Sequence, residues 1–136
     1  MANEWIPLEL YGPNNDGGKR RVKIADGVSV SVGALLEMLD PRTASYSHLA
    51  KVPIIGVASE EHVADKGVTE ISVWTDGLFD VVASGSIALN DNLFTGLQDN
   101  KVQAYIASQA LTHALQMRSY ETGADAEIIN IRLGPL

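Results

Sequence analysis

The chain contains no cysteine, which removes disulfides, thiolate nucleophiles and cysteine-type zinc sites together. Aromatic residues are scarce, at 6% of 136 positions, and are not interleaved with bases. That leaves no stacking platform for single-stranded nucleic acid. Positive charge is also short, with 10 Lys and Arg against 17 Asp and Glu and a net charge of −7. An acidic surface repels phosphate backbones, so direct nucleic-acid binding is disfavoured. No apolar run approaches the ~20 residues of a membrane helix. The N-terminal MANEWIPLEL has neither a basic nor an apolar leader region, so a soluble chain made in a cytoplasm is expected. The glycine patterns Gly-x-Gly-x-x-Gly and the P-loop are missing, as are Gly-x-Ser-x-Gly and Ser-x-x-Lys, so the usual signatures of phosphate cradling and serine nucleophiles are not there.

What is present reads as β structure. With 46% hydrophobic and 20% charged residues, the chain has the composition of one globular domain able to bury a core. Residues 1–21 read as an N-terminal arm and loop, with Trp5, Ile6, Leu8 and Leu10 ahead of a Gly/Asn-rich segment. Residues 22–136 read as a single β domain. Within it, Arg21–Ile24 is expected as a strand, and Val28, Val30 and Val32 alternate with serines at strand period. Gly33–Leu39 is helical turn or strand, Thr43–His48 is loop, and Val52–Ala58 is a strand in which Gly56 permits a bulge or close packing. Glu70–Thr75 and Leu78–Val82 flank Asp76-Gly77, the pattern of a hairpin with a two-residue turn. Such a hairpin has apolar residues on both faces, whereas a solvated hairpin has one polar face. Ala114–Arg118 is read as a strand, with a short helical turn possible before it, and Glu127–Leu133 as the last strand.

The second half repeats the first weakly. Asp26–Leu39 laid on Ser84–Leu97, a shift of 58 residues (84 − 26), matches Gly27 with Gly85, Leu35 with Leu93, Leu36 with Phe94 and Leu39 with Leu97. Two units of this size make an all-β protein, with two copies closing one small barrel or sandwich.

Candidate chemistry is thin. Glu60, Glu61, His62 and Asp65 form the one metal-like or hydrolase-like cluster, though a solvated acidic loop has the same composition. His48 and His113 have no nucleophile or carboxylate beside them. No catalytic, metal-binding or cofactor-binding residue is therefore assigned, and the expected role is not enzymatic. The one basic cluster, Lys19, Arg20, Arg21 and Lys23, is a solvated strand start or a contact to an acidic protein partner.

Several motifs together resemble the capsid cement, or head decoration, proteins of tailed bacteriophages. They are Ala25–Val32, Ala34–Leu36 with Asp40–Ala44, Ile55–Ser59, Val73–Asp80, Ala83–Ile87 and Gly123–Leu133. The resemblance implies a small β-rich homotrimer on the outer surface of the mature head, where it contacts the major capsid protein and clamps neighbouring capsomers. Trp5, Ile6, Leu8, Arg20 and Arg21 are then candidates for capsid contact, and Trp74, Phe79 and Val81 for the subunit interface. The arm is otherwise an extra strand on its own barrel or on a neighbour's. A second class is a virion-displayed module binding carbohydrate or host surface through Trp5, Trp74 or Tyr46.

Overall fold

The computed structural model describes residues 3–12, 14–40, 42–46, 54–89, 92–95, 100–104 and 115–135. These residues form eleven strands and no helix: β1 (Ile6–Leu10), β2 (Arg20–Lys23), β3 (Leu35–Asp40), β4 (Thr43–Tyr46), β5 (Ile54–Ala58), β6 (Glu70–Trp74), β7 (Gly77–Val82), β8 (Asn92–Thr95), β9 (Val102–Ala104), β10 (Leu115–Ser119) and β11 (Ile128–Pro135). The fold is all-β. Strands β2-β4-β3-β5-β6 close a barrel, and the others form a six-stranded sheet in the order β1-β7-β11-β10-β8-β9.

The repeat is real, and it is a repeat of hydrogen-bonding register. Val22 pairs with Ile71 where Val81 pairs with Ile129, and Arg21 with Ser72 where Asp80 pairs with Asn130. Leu36 faces Gly56 in the first unit as Leu93 faces Met117 in the second. Met38 faces Ala44 as Thr95 faces Val102, and Val57 faces Trp74 as Arg118 faces Arg132. Even the isolated bridges correspond, Val30 with His62 and Ile87 with Gly123. The first unit closes through a parallel contact between Lys23 of β2 and Thr43 of β4. The second has its counterpart in a parallel bridge between Ala83 and Val102. Each copy is thus barrel-like by itself, rather than half of one shared barrel. Residue matches at the uniform shift of 58 miss by one at β3 and β8, because loops of different length put Leu36 opposite Leu93 (93 − 36 = 57). A one-residue slip in a strand exchanges its faces, which is why the likeness is faint in the sequence.

Two cores result. Val22, Ile24, Val30, Ala34, Leu36, Ala44, Ile55, Ala58, Ile71 and Val73 fill the first barrel. Phe79, Val81, Leu93, Met117, Ile129, Ile131 and Leu133 fill the second unit, joined by Leu35, Ile54, Val57 and Trp74 from the outside of the first. Strands β3, β5 and β6 are therefore walls shared by two cores, and every residue of β5 is buried.

That shared wall also explains the apolar faces flanking Asp76-Gly77, and it corrects the hairpin. β6 pairs with β2 and β5, whereas β7 pairs with β1 and β11. Asp76-Gly77 is the crossing from one unit to the other, and neither residue has the positive φ that a two-residue hairpin turn demands. Gly77 is needed for a different reason: a Cβ there would lie 2.7 Å from the Glu9 carbonyl oxygen of β1. The crossing is pinned by Thr75 and Asp76, whose N–H groups both donate to the Gly17 carbonyl at 2.8 and 3.1 Å. The Arg132 guanidinium, 4.6 Å over the Tyr11 ring, also donates to the Asp76 carboxylate.

Other elements also differ from expectation. Thr43–Tyr46, expected as loop, is strand β4, while Val28–Val32 supplies only the Val30 bridge. β10 and β11 fall within two residues of the expected strands. The segment proposed for a helical turn lies outside the described residues, as do His48 and His113.

Candidate interaction surface

The expected arm is built into the protein. β1 is the edge strand of the second unit, pairing Ile6 with Asp80, Pro7 with Phe79, Glu9 with Leu78 and Leu10 with Gly77, with Leu8 in the bulge between. Its anchor is Trp5, 2% exposed. The indole packs on Phe79 with ring centroids 5.5 Å apart, and its Nε1–H donates to the Asn100 carbonyl at 2.9 Å. The Asn100 side chain in turn accepts the Leu35 N–H at 2.9 Å. One buried asparagine so ties the N-terminal strand, the start of β3 and the start of β9 together. Asn100 adopts a positive φ of 59°, a conformation asparagine tolerates better than most residues. Sequence reasoning missed it, since a single asparagine in a polar stretch carries no periodic signal.

Of the residues assigned to capsid contact, Trp5 is therefore core, and the other four are at the surface. Ile6 and Leu8 are 57% and 50% exposed. They lie at one margin of a sheet face that also carries Ile128, 64% exposed, and the half-buried Leu78 and Val82. No motif singles out Ile128, although the inward alternation of Ile129, Ile131 and Leu133 places it outward by strand period. Exposed apolar side chains gathered on one face mark a contact surface.

Arg20 and Arg21 stand on β2, away from that face, and are exposed with Lys19 and Lys23. Arg21 donates to Glu60 at 3.0 Å and reaches Ser72 and the Glu70 carbonyl. The Glu60 carboxylate also accepts the Ser72 N–H at 2.7 Å. The Arg42 carbonyl accepts the Lys23 N–H at 2.7 Å, bringing a fifth base to the same edge.

The residues assigned to a subunit interface are corrected. Trp74, Phe79 and Val81 are 8%, 0% and 1% exposed within the single chain and belong to its core. Trp74 packs on Phe79 at 6.0 Å between ring centroids. The apolarity that pointed to a neighbour is consumed by the second unit. Of the three aromatic residues considered for a carbohydrate-binding face, Trp5 and Trp74 are buried and Tyr46 is half-buried.

The acidic cluster is divided by the fold. Glu60 serves β2 and β6 as above. His62 is 2% exposed and has both ring nitrogens against carbonyl oxygens, Nδ1 on Val28 and Nε2 on Val68, the latter at 2.6 Å. Two acceptors call for two N–H donors, which only the imidazolium supplies. Its pKa is accordingly raised, chiefly by the Val68 carbonyl, against the opposing effect of burial and with help from Val28 and the Asp26 carboxylate. His62 is thus a clip joining two loops at one end of the first barrel. Among the described residues no group of three or more His, Asp and Glu is arranged to hold a metal ion.

The class defined by these features is an all-β protein of two register-matched barrel-like units, with exposed apolar side chains set among polar ones on one sheet face and with bases along β2. Neither a protein-family model nor a curated protein matches the sequence. Among solved structures, the chain is similar to the N base of head fiber gp8.5 in bacteriophage phi29, with a TM-score of 0.53 and 16% identity. The match covers 87% of this chain and 96% of that one. At that identity the likeness is one of fold.

Proposed function

We propose that this chain is a structural protein of a bacteriophage head, displayed on the outer surface of the mature capsid as a decoration protein. The observation that carries the reading is the near end-to-end match of the whole two-unit fold to a head fiber base. The sequence motifs resembling head decoration proteins point the same way. In this reading the protein has no reaction to perform. It is a homotrimer that binds the major capsid protein and holds adjacent capsomers together. The exposed side chains of Ile6, Leu8 and Ile128 supply apolar area for a subunit or shell contact, and the core aromatics do not take part. Interfaces of this kind combine an apolar centre with a polar rim, which the acids and bases around the face provide.

Cryo-electron microscopy of the virion tests the proposal. The expected result is density for this chain outside the shell at symmetry-related capsomer junctions, and cosedimentation of the purified protein with expanded heads. Density inside the head or confined to the tail overturns it.

A further inference from the structure

The sheet face that carries Ile6, Leu8 and Ile128 has a carboxylate within it. Asp80 of β7 lies opposite Ile6 of β1 on one side and Asn130 of β11 on the other. Leu78 and Val82 flank it along β7, half-buried on the same face. Ile128 stands opposite Val82, and Glu9 opposite Leu78. Asp80 is thus bordered mainly by apolar side chains, with one further acid. The base next to it by register is Arg132, opposite Leu78. That guanidinium is turned to the Asp76 carboxylate, the Leu133 carbonyl and the Tyr11 ring.

Asn130 adds a second group in need of a donor. Its side-chain oxygen is buried and accepts no hydrogen bond. The neighbouring carboxylate cannot supply one, because an ionised carboxylate only accepts. Turning about the last side-chain torsion, which has a broad profile for an amide, presents that oxygen beside Asp80. Acceptors on adjacent strands then stand abreast. A surface that covers Ile6 and Ile128 also takes Asp80 out of water, and an unpaired carboxylate is costly to bury. Whatever covers this face must therefore bring a cation with several donors. Arginine fits best. Its planar guanidinium offers N–H groups in a fixed fork, and its aliphatic stem packs on apolar neighbours.

We propose that Asp80 and Asn130 form a socket for an arginine side chain of a partner protein, with Ile6, Val82 and Ile128 as its apolar border. The inference rests on the reading of this face as a contact surface and names the chemistry of what it contacts. Of the subunit and shell contacts proposed for the face, it selects the shell. A second copy carries the same net charge of −7 and is repelled overall, whereas a surface presenting arginine is drawn to Asp80 and Glu9. A divalent cation is a poorer occupant, since among the described residues no three His, Asp or Glu side chains gather to hold one.

The test titrates the full chain with the blocked tripeptide Leu-Arg-Leu, followed by amide NMR. A comparison peptide replaces arginine by citrulline, which keeps the shape and removes the charge. The expected result is selective, saturable shifts at Ile6, Asp80 and Asn130 with the arginine peptide. Binding should weaken at least about tenfold with citrulline, the scale of one charge-assisted hydrogen bond. The nearly isosteric Asp80→Asn should weaken binding of the arginine peptide by a similar factor. Four results overturn the proposal. They are no selective shift at this face, equal binding of both peptides, binding unchanged by Asp80→Asn, or concentration-dependent protection of these amides without peptide, which would put a second copy on the face. All but the third are read on the unmodified protein and need no variant to fold. The titration contains no phage head, so its failure is distinct from failure of the virion experiment.

Discussion

The two units share a hydrogen-bonding register residue for residue, yet each completes itself differently. In the first, β4 returns to β2 and the barrel closes. In the second, one parallel bridge brings Ala83 and Val102 together, and the rest of the β7 edge is occupied by β1. Their ends differ as well. The bridge that is Val30–His62 in one is Ile87–Gly123 in the other, so an imidazole clips loops in the first unit where the second has only a glycine. The depressions beside those bridges correspond, one lined by Ser29, Val30, Ser31, Glu61, His62 and Val63, the other by Ser86, Ile87, Ala88, Thr122, Gly123 and Ala124. The comparison teaches that register, not residue identity, is what the two units share. Strand pairing needs only the right backbone alternation and an inward apolar residue at every second place.

The largest break in this comparison should come from Trp5→Ala. It removes the buried anchor of the strand that completes the second unit, and truncations of this kind cost about 3–5 kcal/mol. Chemical denaturation should show that loss, and hydrogen exchange should show β1 and β7 opening before β2 and β6. Uniform loosening of both units would mean that β1 supports the whole molecule equally.

Next in size is Asn100→Ala, which leaves the Leu35 N–H without its acceptor and should cost about 1–3 kcal/mol. The Trp5 indole bond, made to the Asn100 main chain, survives this change, so the double variant with Trp5→Phe separates the two ties.

The His62 clip sets a pH dependence that Gly123, at the matching bridge of the second unit, cannot supply. Its native pKa lies above the ordinary value of 6.5. Folding therefore favours the protonated ring, and that contribution is fully present below about pH 6.5, the value for the unfolded chain. It is lost as pH rises through the higher native value. A melting temperature that falls over that range in the parent, and falls less in His62→Gln, is the expected outcome; identical slopes would remove the imidazolium from the account. The charged groups around the ring are Asp26, which acts on it directly, and the neighbouring Glu61, Asp65 and Lys66 at the surface.

The smallest effect belongs to Arg21–Glu60, whose side chains are 58% and 44% exposed. Exposed pairs contribute about 0–1 kcal/mol and are screened by salt. A double-mutant cycle on Arg21→Ala and Glu60→Ala should give a coupling within that range, shrinking in high salt. A larger coupling would mark the edge of β2 as part of the structural frame rather than as a surface available to a partner.

Much of this is legible in the chain itself. The inward residues of β6 and β11 follow from apolar alternation, β5 stands out as a continuous apolar run, and the repeat is visible at Gly27 and Gly85. The partners of those strands are not legible. Asp76-Gly77 between two β-formers reads as a hairpin turn on local grounds, yet β6 and β7 belong to different sheets. The exposed apolar margin is half visible: Ile6 and Leu8 stand out in the sequence, and Ile128 does not. Nor does the role of Trp5, since a tryptophan near a terminus looks alike whether it docks on its own core or on another molecule.

By itself, then, the sequence pointed to an all-β protein, to the residues that alternate toward an interior, and to a weak repeat that the strand register bears out. Tertiary structure decided how many interiors there are. A strand such as β6 carries apolar residues on both sides, and local chemistry cannot tell a wall between two cores of one chain from a seam between two chains. Only the long-range pairing of β7 with β1 and β11 brings a second core against Trp74, and that pairing depends on loop closures spanning the chain, which no local pattern encodes.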